Sequence, residues 1–282
     1  MSTMEITTRI GCKNACSYCP QDAFVKAYKA RSDLFEMPFD LFKKCLDKVP
    51  KHVRIDFSGM AEPWLNRQCT EMLLYAHSKG YSLAVYTTLV GMEKEDIEAI
   101  KDLPFRVFEV HLPDANNMTQ IKVDSVYLDK LARVRECNIQ ALTFMTIGEI
   151  LPTVQKVIGD GINCHDVVDR AGNLTEFPGI TKQERLRGIV HCKSCDTRLD
   201  HNVLLPNGDV ILCGMDYGMN YVLGNLAEMT YDEMLTSPVA RQLRKSLLDD
   251  REDVLCRYCH NAKRSKLNWL PGAAAFLRKR LG

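Results

Sequence analysis

Six β-rich runs alternate with helical patterns over the first two-thirds of the chain, and no other feature constrains its fold so strongly. The runs are MEITTRI (4–10), VRIDFS (53–58), SLAVYTT (82–88), FRVFEVHL (105–112), IQALTFMT (139–146) and INCHDVVD (162–169). Between them lie FDLFKKCLDKV, LNRQCTEMLLYAHSKG, KEDIEAIKD, VYLDKLARVREC and EILPTVQKVIG, whose apolar residues recur at helical spacing. Strands separated by helices imply a parallel sheet of right-handed βαβ units. Six units are two short of a closed eightfold barrel, so the expectation is an α/β partial (β/α)6 parallel barrel over residues 1–185. Its ligand belongs at the C-terminal ends of the strands.

The last third reads differently. HNVLLPNGDVILC (201–213) is two short strands around Pro-Asn-Gly-Asp, a hairpin pattern, and a helix across roughly 231–248 follows it. This predicts a small α+β domain over 186–282 whose core is too small to be stable without a metal.

Charge and cysteine usage narrow the chemistry. The chain has 282 residues with 37 Lys and Arg against 36 Asp and Glu, and a net charge of +1 argues against nucleic acid as the partner. The start, MSTMEITTRIGC, lacks the apolar core of a secretory signal, and no run approaches the about 18 apolar residues of a membrane span. A cytoplasmic protein with no integral membrane segment is expected. Twelve cysteines in a reducing compartment then point to metal or redox chemistry. Cys45, Cys69 and Cys137 fall in helical patterns and read as small buried thiols.

Cys12, Cys16 and Cys19 form CKNACSYC, a Cys-x3-Cys-x2-Cys loop directly after the first strand. Three thiolates cannot saturate a four-iron cubane, which leaves one iron open to an outside ligand. Structural zinc usually takes four protein ligands in paired knuckles, which the triplet lacks. CKNACSYC in this six-unit βα pattern resembles the radical S-adenosylmethionine (SAM) superfamily. The resemblance implies that the open iron chelates the amino and carboxylate groups of SAM. It also implies reductive cleavage of SAM to methionine and a 5'-deoxyadenosyl radical that takes hydrogen from a substrate. Tyr18 matches the family's aromatic residue beside the adenine. Ser58, Gly59, Met60, Ala61, Glu62 and Pro63 resemble its glycine-rich turn, with Ala61 in place of the usual glycine. There Ser58, Gly59, Met60 and Glu62 would hold the SAM amino group, and Thr87 and Thr88 would serve the ribose side.

Cys195 is followed after twelve residues by Gly208, after four more by Cys213, and after 42 more by the Cys256-x2-Cys259 pair. This spacing resembles the SPASM group and its shortened twitch form, which implies a second [4Fe-4S] cluster on Cys195, Cys213, Cys256 and Cys259. Saturated by four cysteines, that cluster would move an electron and not bind substrate. Cys192-x2-Cys195 with Cys256-x2-Cys259 also has the spacing of a four-cysteine zinc site. The resemblance further implies SAM as cofactor and a reducing electron-transfer protein of flavodoxin or ferredoxin type as partner.

The substrate must be read from the pocket. Alternation in FRVFEVHL puts Phe108, Val110 and Leu112 on one face and Glu109 and His111 on the other, with the polar pair directed inward. His111 is a candidate substrate contact or proton acceptor. Asp169 and Arg170 at the end of the sixth run are candidates to grip a hydroxylated or anionic group, or to pair with each other. With the triplet beginning at residue 12, no leader-peptide recognition domain fits upstream, which favours a small substrate. Single-auxiliary-cluster relatives imply a sugar, cyclitol or aminoglycoside carbinol. Dehydrogenation would send the second electron to the auxiliary cluster, whereas epimerisation needs a thiol donor, for which Cys164 is the candidate. Peptide modification and a non-catalytic metal-binding adaptor are the other readings. Seven Lys or Arg and no acid between Val254 and Gly282 read as a solvated basic tail, or as a site for a phosphorylated substrate or anionic lipid.

Overall fold

All six β-rich runs fold as strands, shorter than their apolar stretches: β1 (Thr3–Ile6), β2 (Arg54–Phe57), β3 (Leu83–Thr87), β4 (Phe105–His111), β5 (Leu142–Ile147) and β6 (Ile162–His165). The computed structural model describes residues 1–174, 176–194 and 198–265. The six strands pair in sequential order and all in parallel. The helices expected between them are α2 (Phe39–Leu46), α3 (Cys69–Ser78), α4 (Lys94–Ile100), α5 (Ser125–Glu136) and α6 (Pro152–Ile158). Their apolar stripes, among them Phe42, Leu46, Met72 and Leu73, join Met4, Ile6, Ile55, Phe57 and Phe108 of the strands in one core. Cys45 and Cys69 are fully buried in it, as small hydrophobes are.

One α-helix went unread in the sequence. Helix α1 (Gln21–Lys29) begins two residues after the cysteine triplet and buries Phe24 and Tyr28. These rings pack with Val203, Leu205 and Ile211 in a second, smaller cluster.

The C-terminal hairpin forms as expected, with β8 (His201–Leu204) and β9 (Asp209–Ile211) joined at Gly208, whose φ of +88° suits only glycine there. Its placement differs from expectation. β8 pairs in parallel with β1, Thr3 opposite His201 and Ile6 opposite Leu204, so the hairpin and β10 (Val222–Asn225) extend the core sheet to nine strands. The sheet therefore stays open, with β10 and β6 at its edges. The helix expected across 231–248 is two, α7 (Tyr231–Leu235) and α8 (Pro238–Leu248). Ser237 caps α8 through Ala240 N–H, and Pro238 follows at its first position, where a missing N–H costs nothing. β7 (Val190–Cys192) and β11 (Ala262–Arg264) form a separate antiparallel pair beside the late cysteines. No helix among the described residues is long and apolar enough to cross a membrane.

Candidate active site

The C-terminal ends of β1 to β4 open onto a cavity of about 340 Å³ that the cysteine loop roofs. Cys12, Cys16 and Cys19 all line it, as do Tyr18, Ser58, Gly59, Met60, Glu62, Thr87, Thr88, His111 and Arg170. The loop is held from two sides. Ser17 N–H donates to the Met118 carbonyl (2.8 Å), Gln120 N–H donates to the Asn14 carbonyl (2.7 Å), and Cys19 N–H closes a turn on the Cys16 carbonyl (3.0 Å). Burial raises all three thiols, Cys16 to about 12; the Glu62 carboxylate further opposes a thiolate at Cys12, Cys12 and Cys19 oppose one at Cys16, and Cys12 opposes one at Cys19. Three thiolates in so dry a place need positive charge between them, and iron supplies it, so the donor set fits an iron-sulfur cluster. Burial likewise raises the Tyr18 hydroxyl, and the Arg170 guanidinium stacks 5.9 Å from its ring centroid.

The glycine-rich turn is packed onto the first strand. Met60 N–H donates to Thr7 Oγ1 (3.0 Å), and a Cβ at Gly59, whose φ is +82°, would collide with that hydroxyl. Glu62 is buried, and four protein donors converge on its carboxylate. Oε1 accepts from Thr87 Oγ1 (2.7 Å) and Trp64 N–H (3.4 Å), and Oε2 from Thr88 N–H (2.6 Å) and Thr88 Oγ1 (2.8 Å). Asn14 Nδ2 in turn donates to Thr88 Oγ1 (2.8 Å), which ties the cysteine loop to this shelf. Ser58 Oγ and Asn14 Oδ1 are buried and have no partner among the described residues. Asn14 was not singled out in the sequence, although it sits inside the triplet.

Opposite the shelf the cavity is walled by charged residues that strand alternation did not single out. Glu5 Oε1 meets His201 Nε2 at 3.0 Å, linking β1 to β8, and Arg54 chelates Asp56 through Nε and Nη2, both at 2.6 Å. Tyr86 and Tyr217 complete the wall, the Tyr217 hydroxyl 3.9 Å from Cys19 Sγ. Burial draws the His201 imidazole down but Glu5 more than restores it, so its pKa is raised. His111 Nε2 lies 3.2 Å from Glu109 Oε1, and this hydrogen bond holds the Glu109 carboxyl below its ordinary value. The inward direction read for His111 is what the lining shows.

Asp169 and Arg170 do not act as a pair. Asp169 is buried, its oxygens accepting from Ala171 N–H (3.1 Å) and Gln183 N–H (2.9 Å), so it shapes the loop and does not reach the cavity. Arg170 alone enters, from a backbone with φ of +52°, and its Nε is buried without a partner among the described residues. Cys164 is exposed on the edge strand β6 and is absent from the cavity lining. Its alternation with Asp166 did not decide its direction.

A second cysteine set lies where the C-terminal unit meets the sheet. Burial and neighbouring thiols push Cys213 well above its ordinary value, the neighbours being Cys256 and Cys259. Burial, Cys259 and Cys192 raise Cys256 to about 12, and Cys259 is raised by burial and by Cys192. Backbone N–H groups of Ser194 and Asn261 donate to Cys192 Sγ and Cys259 Sγ, each at 3.4 Å, as suits sulfur that carries negative charge. Cys195 lies outside the described residues. Arg257, between the paired cysteines, is wholly buried and donates to the carbonyls of Leu186, Gly188, Ser246, Asp249 and Glu252.

An open mixed sheet, parallel through β1 to β6, with three loop cysteines at its ligand-binding edge and a late group of cysteines, defines a class of iron-sulfur enzyme built on a radical-generating core. Comparison of the sequence with family models places the chain within that class. The radical SAM superfamily model matches residues 6–152, more than half of the chain, and the chain belongs to that superfamily. Residues 192–260 match the SPASM iron-sulfur cluster-binding domain. It is therefore a radical SAM enzyme with a SPASM/twitch unit. No curated protein matches it in sequence. Among solved structures it is similar to BtrN in complex with AdoMet and 2-DOIA, at 17% identity, with 93% of each chain covered and a TM-score of 0.61. SuiB of Streptococcus suis bound to its precursor peptide SuiA gives 12% identity, coverage of 95% and 76%, and a TM-score of 0.62. Native anSMEcpe with AdoMet and the Cp18Cys peptide gives 13%, coverage of 92% and 86%, and 0.58. At these identities the likeness is one of fold.

Proposed function

We propose that this enzyme oxidises a carbinol of a small hydroxylated substrate of the sugar, cyclitol or aminoglycoside class. One observation carries the reading: the triplet, the Glu62 shelf and a wall of paired charges share a single cavity of about 340 Å³, near the lower end of the range for small-ligand sites. When bound, a cluster on Cys12, Cys16 and Cys19 supplies the electron that splits SAM into methionine and a 5'-deoxyadenosyl radical. Tyr18 then flanks the adenine, while Ser58, Gly59, Met60 and Glu62 orient the amino group and Thr87 and Thr88 the ribose side. An amino group at Glu62 takes over acceptor sites that the two threonines hold otherwise. Arg170 offers its unpartnered Nε to a substrate hydroxyl, and His111 is placed to accept the hydroxyl proton.

Cys213, Cys256 and Cys259 would hold an auxiliary cluster, which would supply an acceptor for the second electron. Cys195 completes the set by spacing, and Cys192 competes for that place through its influence on Cys256 and Cys259. Retained iron in Cys192→Ala against Cys195→Ala distinguishes them. Oxidation is favoured over epimerisation because Cys164, the thiol donor that epimerisation would need, is outside the cavity lining.

The test is anaerobic reconstitution with SAM, a strong reductant and a panel of cyclitols and aminoglycosides deuterated at their carbinol carbons. About eight irons per chain are expected from two cubanes, with deuterium transferred into 5'-deoxyadenosine and a ketone as product. Full cluster occupancy without 5'-deoxyadenosine would overturn the reading. Solvent deuterium in an inverted alcohol, lost in Cys164→Ala, would replace oxidation by epimerisation.

A further inference from the structure

Of the basic stretch that begins at Val254, the residues after Ser265, with Lys266, Arg278, Lys279 and Arg280, lie outside the described residues. Its described part forms β11 against β7, and segments 187–194 and 260–265 together carry four exposed cations, Arg187, Lys193, Lys263 and Arg264, and no acid. Lys263 lies opposite His191 and Arg264 opposite Val190. Arg264 Nε donates to the Arg187 carbonyl (3.1 Å) and Lys193 Nζ to the His260 carbonyl (2.9 Å), so the four are drawn onto one small sheet. None has a carboxylate within ion-pair distance among the described residues, whereas Asp249, Asp250 and Asp253 beside them are engaged by Arg251, Arg185 and Arg257. The same two strands carry Cys192 and follow closely on Cys259, so the cations lie beside two of the auxiliary cysteines, and Lys193 acts directly on Cys259.

We propose that this cationic sheet docks an acidic one-electron carrier protein, which takes the electron that the auxiliary centre receives; this rests on the oxidation proposed above. Four unneutralised cations steer an acidic partner to this face, and their field acts over about 8 Å at physiological salt. In the transfer one electron leaves the reduced auxiliary cluster, and an oxidised flavin accepts it with one solvent proton as a neutral semiquinone.

The probe is an acidic flavodoxin in its oxidised form, titrated into the enzyme with both clusters loaded, reduced beforehand by dithionite whose excess has been removed. Binding should weaken about tenfold on raising salt from about 50 to 300 mM. An Arg187→Glu, Lys263→Glu, Arg264→Glu variant should bind about tenfold more weakly and form semiquinone correspondingly slowly, with dithionite-driven formation of 5'-deoxyadenosine unchanged. Lys44→Glu, Lys94→Glu, Lys156→Glu alters the same charge on α2, α4 and α6 and should leave binding as it was. Equal weakening in both variants, or in neither, overturns the proposal. So does selective loss, in the first variant, of binding to phosphatidylcholine–phosphatidylglycerol vesicles while flavodoxin binding persists, since the face then belongs to a membrane. Loss of dithionite-driven 5'-deoxyadenosine in every protein would instead sink the enzymatic reading, and the binding comparison would still decide the docking.

Discussion

Glu62 shows how far a single residue can be read. Its place before Pro63 marked it in the sequence, but nothing there told that Thr87, Thr88 and Trp64 all spend donors on it, or that Asn14 extends the network to the cysteine loop. Those partners come from β3, from the turn after β2 and from the loop after β1, and only the fold brings them together. Glu62→Gln would set an amide NH2 against donors at one oxygen position and leave at least one buried donor unpaired, at a cost of about 1–3 kcal/mol. SAM binding should weaken and the denaturation midpoint fall, with the cluster absorption spectrum preserved. Unchanged binding and an unchanged midpoint would deny the network its role. Arg170 and Cys164 mark the limit of legibility from the other side. Both were candidates because chemistry-bearing residues end the sixth run, yet the turn after β6 sends Arg170 into the cavity, and the edge strand leaves Cys164 exposed.

At the scale of elements, the alternation fixed β1 to β6 and their helices because each helix buries a stripe against strands next to it in sequence. The pairing of β1 with β8 was illegible for the opposite reason. It joins strands 198 residues apart in sequence, and Met4, Ile6, Val203 and Leu204 are apolar in any core. What marks this register is the Glu5–His201 pair. The pKa of His201 is raised in the folded state, despite burial, by Glu5 and secondarily by Asp56 and Cys192, while Arg54 occupies Asp56. The pair therefore contributes stability that is fully present below about pH 6.5, the ordinary histidine value, and is lost as pH rises through the higher folded value. Denaturation at a series of pH values should show this decline in the native sequence, and Glu5→Gln should flatten it. A Glu5→Gln protein with the same decline would assign it to another group.

For the whole molecule, the expectation of a C-terminal domain held by metal alone needs dividing. Its hairpin is part of the main sheet, with Val203, Leu204, Leu205, Val210 and Ile211 wholly buried, so β8 and β9 have support that no metal provides. The segments around Cys192, Cys256 and Cys259 rest on the short β7–β11 pair, on Val190 and Val254 in the main core, and on Arg257, whose guanidinium binds five carbonyls from 186 to 252. An arginine beside a cysteine pair carries no sequence mark of burial, which is why this staple was not foreseen. Removal of iron should thus act on one part of the unit. Hydrogen exchange of the iron-free protein should keep β8 and β9 protected to the level of β1 and β2, while residues 186–194 and 254–264 lose protection. Arg257→Met takes the donor from five carbonyls, that of Ser246 buried and the other four partly so, so it should open the same two segments even with iron present and destabilise the protein by about 1–3 kcal/mol. Uniform loss of protection across β8 and β9 on iron removal would show that the C-terminal unit does depend on its metal as a whole.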